Sequence, residues 1–279
     1  MNKNRRRRNE SILVHSLAIL SMIFILFPIY WLVISALQSP QTIISIPPTL
    51  FPRSFSLYFV KKVFSQFGIG RFLANSVFLS LGSTFLTLFV ACFAAFSYTA
   101  YRYKMKESFS KLVLFVYMFP QILIIIPIYL LMSKAGLINT YSGLILCYIA
   151  FELPICIWTM QSYFATIPKD LVDAAEIDGL RRLSTLWYVF LPVALPGLAA
   201  SGVMTFIGIW NNFLLANTLL IDEAKKTLPV VIADFASRDS MMQGDVLAAS
   251  LVVCIPSFFF ALFAQKYLVG GLTSGAVKA

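Results

Sequence analysis

The sequence predicts an all-α membrane protein with six transmembrane helices. Both termini lie on the cytoplasmic side, and a helical loop sits beneath the membrane between spans four and five. Three observations predict this. First, 59% of the 279 residues are hydrophobic and only 12% are charged, where soluble domains carry about 25% charge; the mean hydropathy is +0.83. Second, residues 12–37, 72–101, 112–133, 183–221 and 246–265 contain no Asp, Glu, Lys or Arg, and residues 141–167 contain only Glu152. A bilayer-spanning helix needs about 20 mostly apolar residues. Third, Lys and Arg outside the spans divide unevenly, fourteen on one side against eight on the other. Positive residues favour the cytoplasmic side, which sets the orientation.

In chain order, residues 1–11 form a basic arm with Lys3 and Arg5, Arg6, Arg7 and Arg8. Directly before a span, such an arm reads as an orientation signal attracted to anionic lipid, not as a nucleic-acid patch. Span one covers residues 12–37; at 26 residues it exceeds a signal-peptide core, and Phe27-Pro28-Ile29-Tyr30-Trp31 is no cleavage site. The external connection to residue 71 carries Pro40, Pro47, Pro48 and Pro52, then Phe55, Tyr58 and Phe59. The prolines stiffen it, and the aromatics suit the headgroup boundary. Span two is 72–101 and span three 112–133, with Pro120 and Pro127 expected to break the latter. A turn around Gly136 leads to span four, 141–167, interrupted at Pro154. Spans five and six are about 191–221 and 246–268, with a polar external stretch 222–245 between them, Pro256 interrupting span six, and a tail from 269 to 279. That tail is small, polar and not expected to fold alone. The four cysteines lie in apolar spans without metal-ligand spacing, and His15 is the only histidine. Neither a disulfide framework nor a His-based metal site is expected.

The loop 168–190 is unlike the rest. Asp170, Asp173, Glu176 and Asp178 gather four acids beside Ala174, Ala175 and Gly179. Pro168 suits a helix start, and acids are favoured near it. Leu171, Ala174, Ala175 and Asp178 share one low helical face. Gly179 stops the helix by accepting the left-handed conformation. A second segment places Leu183, Leu186, Trp187 and Phe190 on one face before Leu191-Pro192 opens the next span. Resting on anionic lipid does not suit four acids, so the two helices read as a docking surface.

The spacing Asp173-Ala174-Ala175, three residues, Gly179, nine residues, Val189, one residue, Leu191-Pro192 resembles the EAA loop of ABC-importer permeases. Asp173 stands where that pattern has Glu, and Val189 where it has Ile; charge and branching are kept. Pro28-Ile29-Tyr30-Trp31, Asn75-Ser76, Ile126-Pro127-Ile128-Tyr129, Trp210-Asn211 and the tail 271–276 extend the resemblance to the carbohydrate-uptake, MalG-like permeases. The resemblance implies a six-helix permease domain over residues 12–268 in a prokaryotic inner (plasma) membrane. It implies a second, different, MalF-like permease chain, two ATPase subunits, and an extracytoplasmic binding protein delivering a di- or oligosaccharide. It assigns Asp173, Ala174, Ala175, Asp178, Gly179, Leu191 and Pro192 to ATPase coupling. The chain has no G-x-x-x-x-G-K-[ST] phosphate loop. ATP and magnesium are therefore expected on the partner ATPase, with no cofactor in this chain and no catalytic activity of its own.

For the cargo, Glu152 is the one acid within a span, and an ionisable group at that depth is a functional-site hypothesis. Gln121, Asn211 and Asn212 offer amides to sugar hydroxyls, and Trp210 offers a stacking face. The alternative is that Glu152 pairs inside the bundle and Trp210-Asn211 only packs helices. An ion-coupled secondary transporter is the competing class, but no internal repeat is visible. Channel filters and clustered catalytic groups are equally lacking.

Overall fold

The computed structural model describes residues 2–276 apart from 53, 102, 239 and 240, with side chains described between residues 10 and 263. Every regular element among them is helical. Four helices are long and apolar enough to cross a membrane. They lie within α1 (Asn2–Ala36), α4 (Ile69–Ala100), α7 (Tyr141–Phe164) and α14 (Gln243–Ala276). The short α2 (Pro40–Ile43) and α3 (Tyr58–Ser65) follow α1. At about 1.5 Å per residue, α1 is about 50 Å long, so the basic arm continues the first span instead of hanging free. Likewise α14 runs on to Ala276, so the tail, expected unfolded, begins as helix; residues 277–279 lie outside the described residues.

The third and fifth predicted spans are not straight. α5 (Lys106–Tyr117) and α6 (Gln121–Lys134) meet at 97°, and a second pair, Arg182–Val193 and Leu195–Trp210, meets at 81°. Pro120 sits at the first break, flanking α6 with ψ 125°; its ring disfavours helical geometry at the preceding Phe119, so α5 ends before it. In the second, Ala194 leaves helical geometry between Pro192 and Pro196, and each proline takes the first turn of a new helix: α10 (Leu191–Val193) and α11 (Leu195–Trp210). The expected breaks at Pro127, Pro154 and Pro256 do not occur. α6, α7 and α14 run through them, since one lost hydrogen bond is tolerated where the other turns hold. The stretch 222–245, expected to be polar throughout, contains an apolar helix, α13 (Leu228–Ala236), with Leu228, Val230, Val231 and Phe235 buried.

The chain divides into two compact units. One comprises Met1–Ile69 and Ile232–Cys254. Within it the Tyr30 hydroxyl donates to the Leu50 carbonyl at 2.6 Å, and Gln38 Nε2 donates to the Thr49 carbonyl at 3.1 Å. α3 seats on the first turn of α14. The Phe59 ring occupies the space a side chain at Gly244 would need, and Lys62 Nζ lies 2.7 Å from Asp245 Oδ2. The other unit comprises Gly70–Val231 and Ile255–Ala279. There α11 packs along α7, with the Tyr163 ring lying where a side chain at Gly197 would project. Among the described residues, two buried clusters lie in this unit. One centres on Leu79, Leu144, Tyr148, Ile209 and Leu215, the other on Phe96, Met160, Phe164, Leu186 and Phe190.

Candidate functional site

The loop between α7 and α10 folds as two helices around a glycine corner. α8 (Lys169–Ile177) starts after Pro168, with Asp170 in its first turn. Gly179 has φ +78°. The Gly179 N–H donates to the Glu176 carbonyl at 3.1 Å and the Leu180 N–H to the Ala175 carbonyl at 3.0 Å, closing the C-terminal turn. α9 (Arg182–Thr185) leads into a π-helical segment, Leu186–Phe190, and then α10. Asp173, Ala174 and Asp178 are exposed and Ala175 is buried. The α8 face is therefore split: Ala175 faces its own unit, whereas Ala174 stays open beside the acids. The second face is split as well. Leu186 and Phe190 are buried, but Leu183 and Trp187 are 59% and 51% exposed. The wider π turn, which α-helical periodicity does not anticipate, rotates them apart. Pro192 is exposed and Leu191 half-buried at the end of the loop.

A polar seam runs between α6, α7 and α11. Glu152, half-buried on α7, reaches the α11 backbone at Gly208: a Cβ on Gly208 would lie 2.6 Å from Glu152 Oε1. Four residues on, Asn212 Nδ2 donates to Gln121 Oε1 at 3.3 Å. Asn212 Oδ1 accepts from the Leu215 N–H at 3.1 Å, capping the start of α12 (Leu214–Leu219). Gln121 is the first residue of α6 and Asn212 lies in the gap between α11 and α12. The seam thus joins two helix interruptions, where backbone groups lack helical partners. Asn211 is exposed and donates to the Ile207 carbonyl at 2.9 Å. Trp210 lies elsewhere. It is 1% exposed and stacks on Phe206 at 5.6 Å with rings 22° apart, and Phe206 meets Phe260 at 4.0 Å. Its faces are covered by packing, so it presents no open ring to a cargo in this structure.

The sequence reading did not foresee a network at the far end of this unit. Asn139, at φ +59°, donates through Nδ2 to Asp222 Oδ2 at 2.7 Å, and its Oδ1 accepts from the Ile221 and Asp222 N–H groups. Lys225 Nζ donates to the Asn139 carbonyl at 2.8 Å and lies 3.2 Å from Asp222. The Asn139 hydrogen bond, then Lys225, holds the Asp222 carboxyl below its ordinary pKa. Asn75 Nδ2 donates to the Ala224 and Lys226 carbonyls, each at 3.0 Å, and Ser76 Oγ accepts from the Leu228 N–H at 2.7 Å. The Asn75-Ser76 pair thus fastens the loop after span five to the start of span two. Asparagine's tolerance of positive φ is the one local signal available, and it does not name its partners.

The long apolar helices and the glycine-cornered loop define a class: a multi-pass membrane protein with a two-helix loop between long helices. Residues 87–272 match the family of binding-protein-dependent transport system inner membrane components. The chain is 33% identical over 262 residues to the trehalose/maltose transport system permease protein MalG of Thermococcus litoralis, covering 94% of each chain. It is 33% identical over 260 residues to the trehalose transport system permease protein SugB of Mycobacterium tuberculosis, covering 91% of this chain and 93% of that one. A bacterial ABC transporter chain involved in importing the acidic polysaccharide alginate shares the fold, with TM-score 0.82 and 23% identity over 94% of this chain and 98% of that one. The chain belongs to the binding-protein-dependent inner-membrane permease family of ABC importers, whose members are transport components and not enzymes.

Proposed function

We propose that this chain is the permease subunit of an ATP-driven importer for a di- or oligosaccharide in a prokaryotic inner membrane, with both termini cytoplasmic. It pairs with a second, MalF-like permease, receives its cargo from an extracytoplasmic binding protein, and is driven by two ATPase subunits that carry ATP and magnesium. The relatives named for trehalose and maltose support a disaccharide cargo.

The observation that carries the reading is the loop 168–190: an EAA-type spacing set on a helix, a left-handed glycine and a second helix, with Asp173, Ala174 and Asp178 open to a partner. ATP closes the ATPase pair, the docked loop moves as a body, and the spans rock between inward- and outward-facing states. Glu152, Gln121 and Asn212, with Asn211 exposed nearby, are the polar groups proposed to meet the sugar's hydroxyls, while Trp210 stays in the core beside Phe206.

The test is Gly179→Val in the complete reconstituted importer. Nothing lies within 4 Å of a Cβ built there, so the cost is backbone strain, about 1–2 kcal/mol for a side chain in the left-handed region. ATP-driven uptake falls in Gly179→Val and largely returns in Gly179→Asn, because asparagine tolerates that conformation. Failure of the native chain to co-purify an ATPase, or normal uptake by Gly179→Val, overturns the reading.

A further inference from the structure

Beneath the loop lies a chain of aromatic rings that belongs to three separate elements. Phe190 ends the π-helical segment and is 2% exposed. Its ring stands edge-on to Phe164, the last residue of α7, at 5.2 Å and 82°, and to Phe96 of α4 at 4.9 Å and 80°. Phe96 in turn meets Tyr101 at 5.7 Å and 80°, and the Arg182 guanidinium lies 5.2 Å over the Tyr101 ring. Phe93 and Trp187 add a second edge-to-face pair between α4 and the π segment at 6.3 Å. Val172 of α8 packs against the same cluster. Both ends of the loop, Phe164 where it leaves α7 and Arg182–Phe190 where it returns, are therefore pinned to one group of rings, together with the end of α4.

We propose that Phe190, held between Phe96 and Phe164, is the joint through which movement of the loop reaches α4 and α7 together. This rests on reading the loop as the ATPase contact. Sequence alone ties the loop to α7 and α10, its covalent neighbours; α4 is reached only through packing. Edge-to-face rings have a preferred separation and angle, and close-packed interiors pass on displacement instead of absorbing it. The π segment serves the same end. Its wider turn brings Leu186 and Phe190 inward on the side of the cluster, at the place where the chain leaves the loop for α10. An aliphatic side chain at 190 keeps the site apolar but leaves space between the two neighbouring rings, so loop and helices no longer move as one. Phe190 is in this reading a positioning residue: it touches neither nucleotide nor cargo.

The experiment uses the complete importer, both permeases with the ATPases and binding protein, in proteoliposomes. Sugar uptake and ATP hydrolysis are measured together for Phe96→Leu, Phe164→Leu, Phe190→Leu and the double Phe96→Leu/Phe190→Leu. Phe85→Leu, 69% exposed on α4 and outside the ring pairs, is the control. The joint predicts that each single variant of the triad assembles and hydrolyses ATP within about twofold of native. Sugar moved per ATP falls by roughly fivefold or more, the low end of coupling between distant sites. The double variant loses no more than Phe190→Leu, because the rings act as a unit. Three outcomes overturn the joint: an unchanged ratio, a parallel fall of uptake and hydrolysis, or loss of assembly in every triad variant, which would make the rings packing alone. If the native importer itself shows no ATP-driven uptake, the failure lies in the functional reading and not in the joint.

Discussion

Removing Lys62 isolates a buried charge. Lys62 Nζ lies 2.7 Å from Asp245 Oδ2; the Asp245 side chain is fully buried and that of Lys62 is 17% exposed. The other contact to Oδ2 is the Met242 N–H at 3.1 Å, and Asp245 Oδ1 is buried without a hydrogen-bond partner. Lys62→Met keeps the apolar stem beside Phe67, over whose ring the ammonium now sits at 5.4 Å, and deletes only the charge. Breaking one side of a buried pair costs about 3–5 kcal/mol, because the remaining ion is left desolvated. At roughly 2–4 °C per kcal/mol for a chain of this order of size, the thermal midpoint of the full chain in detergent drops by about 6 °C or more. Adding Asp245→Asn removes the stranded charge and preserves an acceptor for Met242, so the double variant recovers most of the loss. A Lys62→Met midpoint within about 2 °C of native would refute the argument, as would a double variant whose loss equals the sum of the singles.

Two further outcomes follow from the seam and from the network around Asn139. Gly208→Ala sets a methyl against Glu152 Oε1 and displaces the carboxylate, whereas Glu152→Gln keeps the shape and removes the charge. Both variants are expected to assemble and to hydrolyse ATP but to show weakened or altered sugar uptake at matched membrane abundance; normal uptake by both would take Glu152 out of the path. Asp222, with its folded pKa depressed by Asn139 and Lys225, stabilises the loop above its unfolded pKa, and the effect is lost as pH falls through the lower folded value. Amide protection at Ile221 and Asp222, which donate to Asn139, is expected to hold from pH 7 to the ordinary carboxylate value of 3.8 and decline below it. Asp222→Asn removes that step.

What the sequence by itself determined is what depends on neighbours along the chain. Transfer of apolar residues out of water is nearly additive, so the apolar runs locate α1, α4, α7 and α14, although α1 begins ten residues before the predicted span and α14 ends eight residues after it. Glycine's freedom at positive φ is likewise local, and Gly179 could be placed at a helix end before any partner was known. The gapped pattern from Asp173 to Pro192 is also a property of the linear chain. Only the tertiary structure decided which prolines break a helix. Pro120 does and Pro154 does not, because the outcome depends on whether the surrounding turns and packed neighbours hold the axis straight. It alone put Glu152 against Gly208, joined Gln121 to Asn212 across 91 residues and joined Lys62 to Asp245 across 183. It also turned Trp210, an eligible stacking residue, into core. Side chains far apart in sequence carry no mark of their partner. The pairing is fixed when burial removes water and each polar group must find another, which happens only once the helices have packed.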